Sequence, residues 1–291
     1  MKTVIRSFFT LGAAGAGIML IGSGCAPLRD DAAPGVAGET QLAVLASDDS
    51  GTYDIVIMDA SGNSLTTVDA NLSQPVGISY HPDGFFVINS YNGLTRVDMD
   101  GETSPFGDQP INGYRTFVSD DGTTTVTDEY DTQQLDPEGN VIDSLNTGGQ
   151  FCWMDAGAGL DAGAPAVLDV FGPTVAIWDV DGGQYQSLAT GVGNGGNILG
   201  YDDGGNYYVG SSYDQGLWSV SDQGEVSSLG SLSSLGLDAY GVKALEPASV
   251  SSVFALTDTN AGSTVVEIDQ SGNLTEVVNA GGQVWLDMVA F

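Results

Sequence analysis

Between Thr40 and Phe291, short apolar runs alternate with bends rich in Asp, Asn and Gly, the pattern of β-strands joined by tight turns. One unit recurs: a strand, an acidic residue near its end, a turn residue and a glycine, then a second strand. It reads IVIMDASGNSLTTV from Ile55, LTRVDMDGETSPF from Leu94 and DTQQLDPEGNVIDSL from Asp131. It returns as VAIWDVDGGQYQSL from Val175, GLWSVSDQGEVSSL from Gly216 and VVEIDQSGNLTEVV from Val265. The turn glycines Gly62, Gly101, Gly139, Gly182, Gly224 and Gly272 are 39, 38, 43, 42 and 48 residues apart. A period of about 40–45 residues built from short strands is that of a four-stranded propeller blade. Each unit reads as the outer hairpin of a blade, with glycine supplying the positive φ of the bend.

The other two strands lie upstream of each hairpin. Pro75 to His81 forms one strand, Pro82-Asp83-Gly84 a turn, and Phe85 to Ile88 the next strand. Phe117 to Asp128 repeats this around Asp121-Gly122, and Ile198 to Ser211 around Asp203-Gly204. The predicted fold is all-β: a six-bladed β-propeller of four-stranded antiparallel blades over residues 40–291. A different blade count is the alternative. The first repeat begins at Thr40 to Ser47 with its innermost strand missing, while Val284 to Phe291 forms an orphan strand after the sixth hairpin. Pairing it beside Leu42 to Ala46 closes blade one from both ends and leaves no open seam. Two stretches break the period, Asp155 to Pro165 in blade four and Leu229 to Tyr240 before blade six. Their small residues predict flexible loops.

The stretch from Pro75 to Gly101, with Pro-x-Gly-Ile, an Asp-Gly turn and a closing Asp-x-x-Gly hairpin, resembles NHL-type and SMP-30-like propeller repeats. The likeness covers about residues 40–291. It implies architecture; activity varies widely on this fold. SMP-30-like lactonases hold a divalent metal in the central channel with Glu, Asn and Asp, and no such set can be placed here. Streptogramin lyase-like propellers need histidine chemistry that the single histidine, His81, can hardly supply. It sits before a Pro-Asp-Gly turn, and a general base needs a positioned partner.

The N-terminus changes the picture. Lys2 and Arg6 precede an apolar stretch from Phe8 to Ile21, and no acid comes before Cys25. This is the layout of a secretory signal peptide over residues 1–24. Ile21-Gly22-Ser23-Gly24-Cys25 resembles a bacterial lipobox, with Gly22 where Leu is usual. Cys25 is the expected lipidation site, and residues 25–39 the anchor and a flexible Pro- and Gly-bearing tether. Cys152, between Phe151 and Trp153, reads as a small buried hydrophobe; a Cys25–Cys152 disulfide is the competing reading without lipidation. The implied address is exported, on the outer membrane or cell surface, since Ala26 replaces the Asp that favours inner-membrane retention in some bacteria.

Thirty-eight acidic residues against six basic ones give a net charge of −32. Such a surface repels nucleic acid and anionic headgroups. The Asp98-Met99-Asp100-Gly101 and Asp179-Val180-Asp181-Gly182 turns lack an EF-hand's twelfth-position Glu and read as hairpin turns, with weak Ca²⁺ binding compatible with so acidic a surface. No cofactor is identified. Asp48, Asn89, Asp128, Asp169, Ser211 and Asp258 recur at the ends of second strands, and Tyr53, Tyr91, Tyr130 and Tyr213 in the loops that follow. They either brace those loops and pack between blades or form a ligand-face rim for a protein, peptide or carbohydrate, where rings also attract cations. The expected function is a non-enzymatic binding or scaffold propeller anchored to the envelope. The alternative is a metal-dependent hydrolase or lactonase of SMP-30-like type.

Overall fold

In the computed structural model, the described residues are 40–47, 51–107, 115–127, 131–146, 153–157, 165–169, 174–179, 183–192, 198–211 and 216–291. They form six four-stranded antiparallel sheets. Blade one holds β1 (Gln41–Ser47), β2 (Tyr53–Asp59) and β3 (Ser64–Leu72). Blade two holds β4 (Pro75–His81), β5 (Phe85–Ser90), β6 (Gly93–Asp98) and β7 (Thr103–Pro105). Blade three is β8 (Arg115–Val118), β9 (Thr124–Thr127), β10 (Asp131–Leu135) and β11 (Val141–Asn146). Blade four is β12 (Trp153–Gly157), β13 (Ala166–Asp169), β14 (Thr174–Asp179) and β15 (Gln184–Thr190). Blade five is β16 (Ile198–Tyr201), β17 (Tyr207–Gly210), β18 (Gly216–Val220) and β19 (Val226–Ser231). Blade six is β20 (Ala239–Ser249), β21 (Ser252–Thr259), β22 (Gly262–Asp269) and β23 (Leu274–Asn279). The last strand, β24 (Trp285–Ala290), returns to blade one, whose order is β24-β1-β2-β3.

The chain thus closes as the sequence predicts. Leu42 pairs with Ala290 and Val44 with Met288. Gln41 and Phe291 exchange two backbone hydrogen bonds of 2.9 Å. The innermost strands β24, β4, β8, β12, β16 and β20 touch in that circular order.

The second strands have no solvent-exposed face. β5, β9, β13 and β17 are buried almost throughout, because each blade packs on both sides against a neighbour. The period of two survives in which neighbour each residue meets. Phe86 and Ile88 join Leu45 and Ile57 of blade one, while Phe85 and Val87 join Val126 and Leu135 of blade three. Six buried clusters result, one per blade interface. Outer strands such as β3 and β7 are largely exposed.

Three of the outer hairpins are pinned by one device. The Asp59 carboxylate accepts the Ser61 and Asn63 amides at 2.9 Å and the Asn63 side chain at 2.8 Å. Asp136 with Asn140, and Asp269 with Asn273, repeat this. The Asn side-chain bond is the main cause holding all three carboxyls below the usual range. Gly62, Gly101, Gly139, Gly224 and Gly272 all have positive φ; Gly182 lies outside the described residues.

These glycines do more than bend. A Cβ on Gly224 would stand 2.2 Å from the Leu188 carbonyl oxygen, one on Gly101 2.6 Å from that of Asp69, and one on Gly139 2.6 Å from the Gly107 nitrogen. Each turn is pressed against the backbone of the preceding blade.

Two expectations shift. The turn in blade five is Asp202–Asn206, with Gly205 rather than Gly204 at positive φ, because Asp202 supplies the pinning carboxylate. The stretch from Leu229 to Tyr240 is folded: it ends β19, begins β20, and between them buries Leu232 completely. Its serines bind one another's backbone, as in the 2.9 Å bond from the Ser231 amide to Ser234 Oγ. The other insertion lies mostly outside the described residues.

Candidate functional site

In every blade the first residues of the innermost strand pair with the last residues of the second strand, as in Pro75 with Ser90, Arg115 with Thr127 and Ala239 with Thr259. Links between blades and loops after second strands therefore share one face, here called the mouth face. The hairpin pins occupy the opposite, turn face.

Innermost strands leave polar backbone groups on their inward edge, and these need partners. Here side chains from other blades supply them. The Asp287 carboxylate of β24 accepts the Ile78 amide of β4 at 2.9 Å. Arg115 of β8 pairs with Asp287 and donates to the Lys243 carbonyl of β20. Lys243 Nζ donates to the Trp285 carbonyl at 2.8 Å and pairs with Asp258 at 2.6 Å. Blades three and six stand opposite in the ring, so Arg115 crosses the channel. Gly77 leaves room for this, since a Cβ there would lie 3.0 Å from Asp287 Oδ2. Burial pushes the Asp287 carboxyl up, with the Arg115 guanidinium opposing it.

The described residues of the sequence-predicted rim do not converge on one site. Asp258 joins this network and also accepts Ser263 Oγ at 2.6 Å. Asn89 is fully buried with neither side-chain polar atom hydrogen-bonded. It sits beside Gly77 in register. Asp169 and Ser211 are buried. Tyr53 packs against the cluster between blades one and two, whereas Tyr91 is 66% exposed. Asp48, Asp128, Tyr130 and Tyr213, like Cys25 and Cys152, lie outside the described residues. Arg115, Lys243 and Asp287 were missed by sequence reasoning; the scarcity of cations in so acidic a chain was the available signal.

His81 ends β4 on the turn face. Its ring stacks on Phe85 at 4.2 Å and meets the edge of Phe106. Nδ1 accepts the Asp83 amide at 3.2 Å. Burial lowers its pKa, with Asp83 working the other way. Among the described residues no three His, Cys, Asp or Glu side chains converge as a metal site. The mouth itself holds two cationic side chains, so its described residues do not fit a divalent ion.

No protein-family model matches the chain, and no curated protein sequence does. Solved structures do resemble it. A nidogen/laminin complex structure matches with a TM-score of 0.68 at 11% identity, over 86% of this chain and 98% of the other. A Bacteroides caccae protein of unknown function matches at 0.63 and 13%, over 87% and 99%. A streptogramin B lyase matches at 0.56 and 13%, over 80% and 82%. At these identities the likeness is one of fold, and that fold is the six-bladed propeller.

Proposed function

We propose that this propeller is a ligand-binding module whose mouth face, rather than its channel, receives the ligand. The supporting observation is Arg115, which reaches from blade three to Asp287 of blade one and to the Lys243 carbonyl of the opposite blade six, and so crosses the channel at its mouth. Blade-to-blade links and second-strand loops surround that point, and loops on a rigid scaffold are where propellers vary. Kinship with NHL-type or SMP-30-like proteins and anchoring of the module to the outer membrane through Cys25 belong to the same proposal and rest on the sequence.

Native mass spectrometry of protein purified from its own envelope, joined to hydrogen exchange, tests this. The expected result is a bound molecule and protection around Tyr91 and Asn260. Protection confined to the turns at Gly62 and Gly139 would sink it.

A second reading is enzymatic, and one observation favours it over a passive scaffold: the similar folds include streptogramin and virginiamycin B lyases. Incubation with virginiamycin B and a lactone panel separates the readings. A lyase opens a ring without changing the mass, a hydrolase adds a water, and intact substrates speak for binding alone.

A further inference from the structure

Blade six departs from its siblings. Its hairpin glycine follows the preceding one by 48 residues, the widest spacing in the ring. The added length is ordered and builds one wall of an open groove of about 250 Å³ on the mouth face. The link into the blade supplies Asp238, the loop after β21 supplies Thr259 and Asn260, and the outer strand supplies Glu276 and Asn279.

These groups are held in place. Asn260 Nδ2 donates to Asp238 Oδ2 at 3.2 Å. Tyr240 donates its hydroxyl to Asn260 Oδ1, which fixes the ring although 61% of the residue is exposed. Asn279 Nδ2 is anchored on the buried Thr264 hydroxyl at 2.8 Å. Leu237 N bonds to the Leu232 carbonyl at 2.9 Å, and Leu232 is the buried foot of the wall.

We propose that this groove binds a neutral saccharide unit. The inference rests on the mouth-face reading and names the ligand class there. A sugar ring presents hydroxyls that both donate and accept, together with flat C–H faces. The groove offers carboxylate and amide acceptors, amide donors and a fixed, exposed tyrosine beside them. Among the described residues no cation lines it, so anionic sugars are disfavoured by its two carboxylates and by the charge of the whole chain. Its volume suits a single sugar ring rather than a folded partner.

The test is titration of the intact protein with chitotriose, maltotriose and cellotriose, read by saturation-transfer NMR. Trilysine and a heparin trisaccharide serve as cationic and anionic comparisons. At least one neutral trisaccharide should bind with a millimolar or better Kd. Tyr240→Ala should weaken it about tenfold without moving the urea midpoint, because the ring is exposed. Asn260→Ala should weaken it as well. No neutral trisaccharide binding at about 10 mM overturns the inference, as does binding indifferent to Tyr240→Ala. Trilysine binding that depends on Tyr240, with sugars inert, also overturns it and assigns the groove to a cationic peptide. In that case, or where a native ligand protects Tyr91 while ignoring Tyr240→Ala, the mouth-face reading stands alone. Protection confined to the turn face removes both.

Discussion

The two faces of the ring are held by opposite means. On the turn face, Asp59 pins Asn63 four residues away, and the same local bond recurs at Asp136 and Asp269. On the mouth face, Asp287 caps an amide 209 residues away, and Arg115 reaches a carbonyl 128 residues away. The same side chain behaves differently in the two places. Exposed turn aspartates have depressed pKa values, while burial raises that of Asp287. Local, solvated bonds hold one face together, and a few buried long-range charges hold the other.

Removal of residues 285–291 tests the contrast most severely. It takes away β24 together with Asp287, leaves β1 with an unpaired edge and removes the carboxylate that Arg115 pairs with. Loss of cooperative unfolding by circular dichroism is expected, and a truncated chain that melts cooperatively at the parent temperature would show that closure matters little.

Asp287→Ala comes next. It leaves a largely buried guanidinium and an uncapped Ile78 amide, at a cost of about 3–5 kcal/mol. The double replacement Arg115→Met with Asp287→Leu should recover the part owed to the unpaired guanidinium, since an apolar pair has no charge to desolvate, while the Ile78 amide stays uncapped. Urea unfolding of the single and double variants measures the coupling; additive losses would mean the pair acts as two independent groups.

On the turn face, Gly224→Ala should cost more than Gly183→Ala. Both have positive φ, worth about 1–2 kcal/mol against a side chain, but only Gly224 abuts another blade, and a Cβ on Gly183 meets nothing within 4 Å. Equal losses would reduce the turn glycines to backbone strain.

The smallest effects are expected from pH. A His81 pKa below its ordinary value of about 6.5 means that its contribution is complete above that value and fades as pH falls toward the lowered one. His81→Phe should flatten the fall in stability that sets in below about pH 6.5. The pinning aspartates lose their share further down, as pH falls through values below about 3.9. For Asp287 the sign reverses: between its ordinary and its raised value, acidification favours the folded chain.

What was legible in the sequence follows the same division. The hairpins could be read because Asp or Ser at a strand end with Gly three residues on specifies a turn without reference to the rest of the molecule. Six such turns at one period gave the blade count, and the unpaired strands at Thr40 and Val284 gave the closure. Arg115, Lys243 and Asp287 could not be read, because no local rule relates strands that meet only after the ring closes. The second role of the turn glycines was hidden for the same reason, as was the groove in blade six: Leu229 to Tyr240 reads as a flexible insertion until Leu232 is seen buried beneath it.

Closure by β24 has a mechanical consequence. A pull arriving through residue 40 loads β1, which is hydrogen-bonded along one edge to β2 and along the other to β24. Force along that strand strains both ladders at once, in shear, instead of peeling bonds one after another. A domain hung from its N-terminal end would resist drag best along the very strand by which it is suspended.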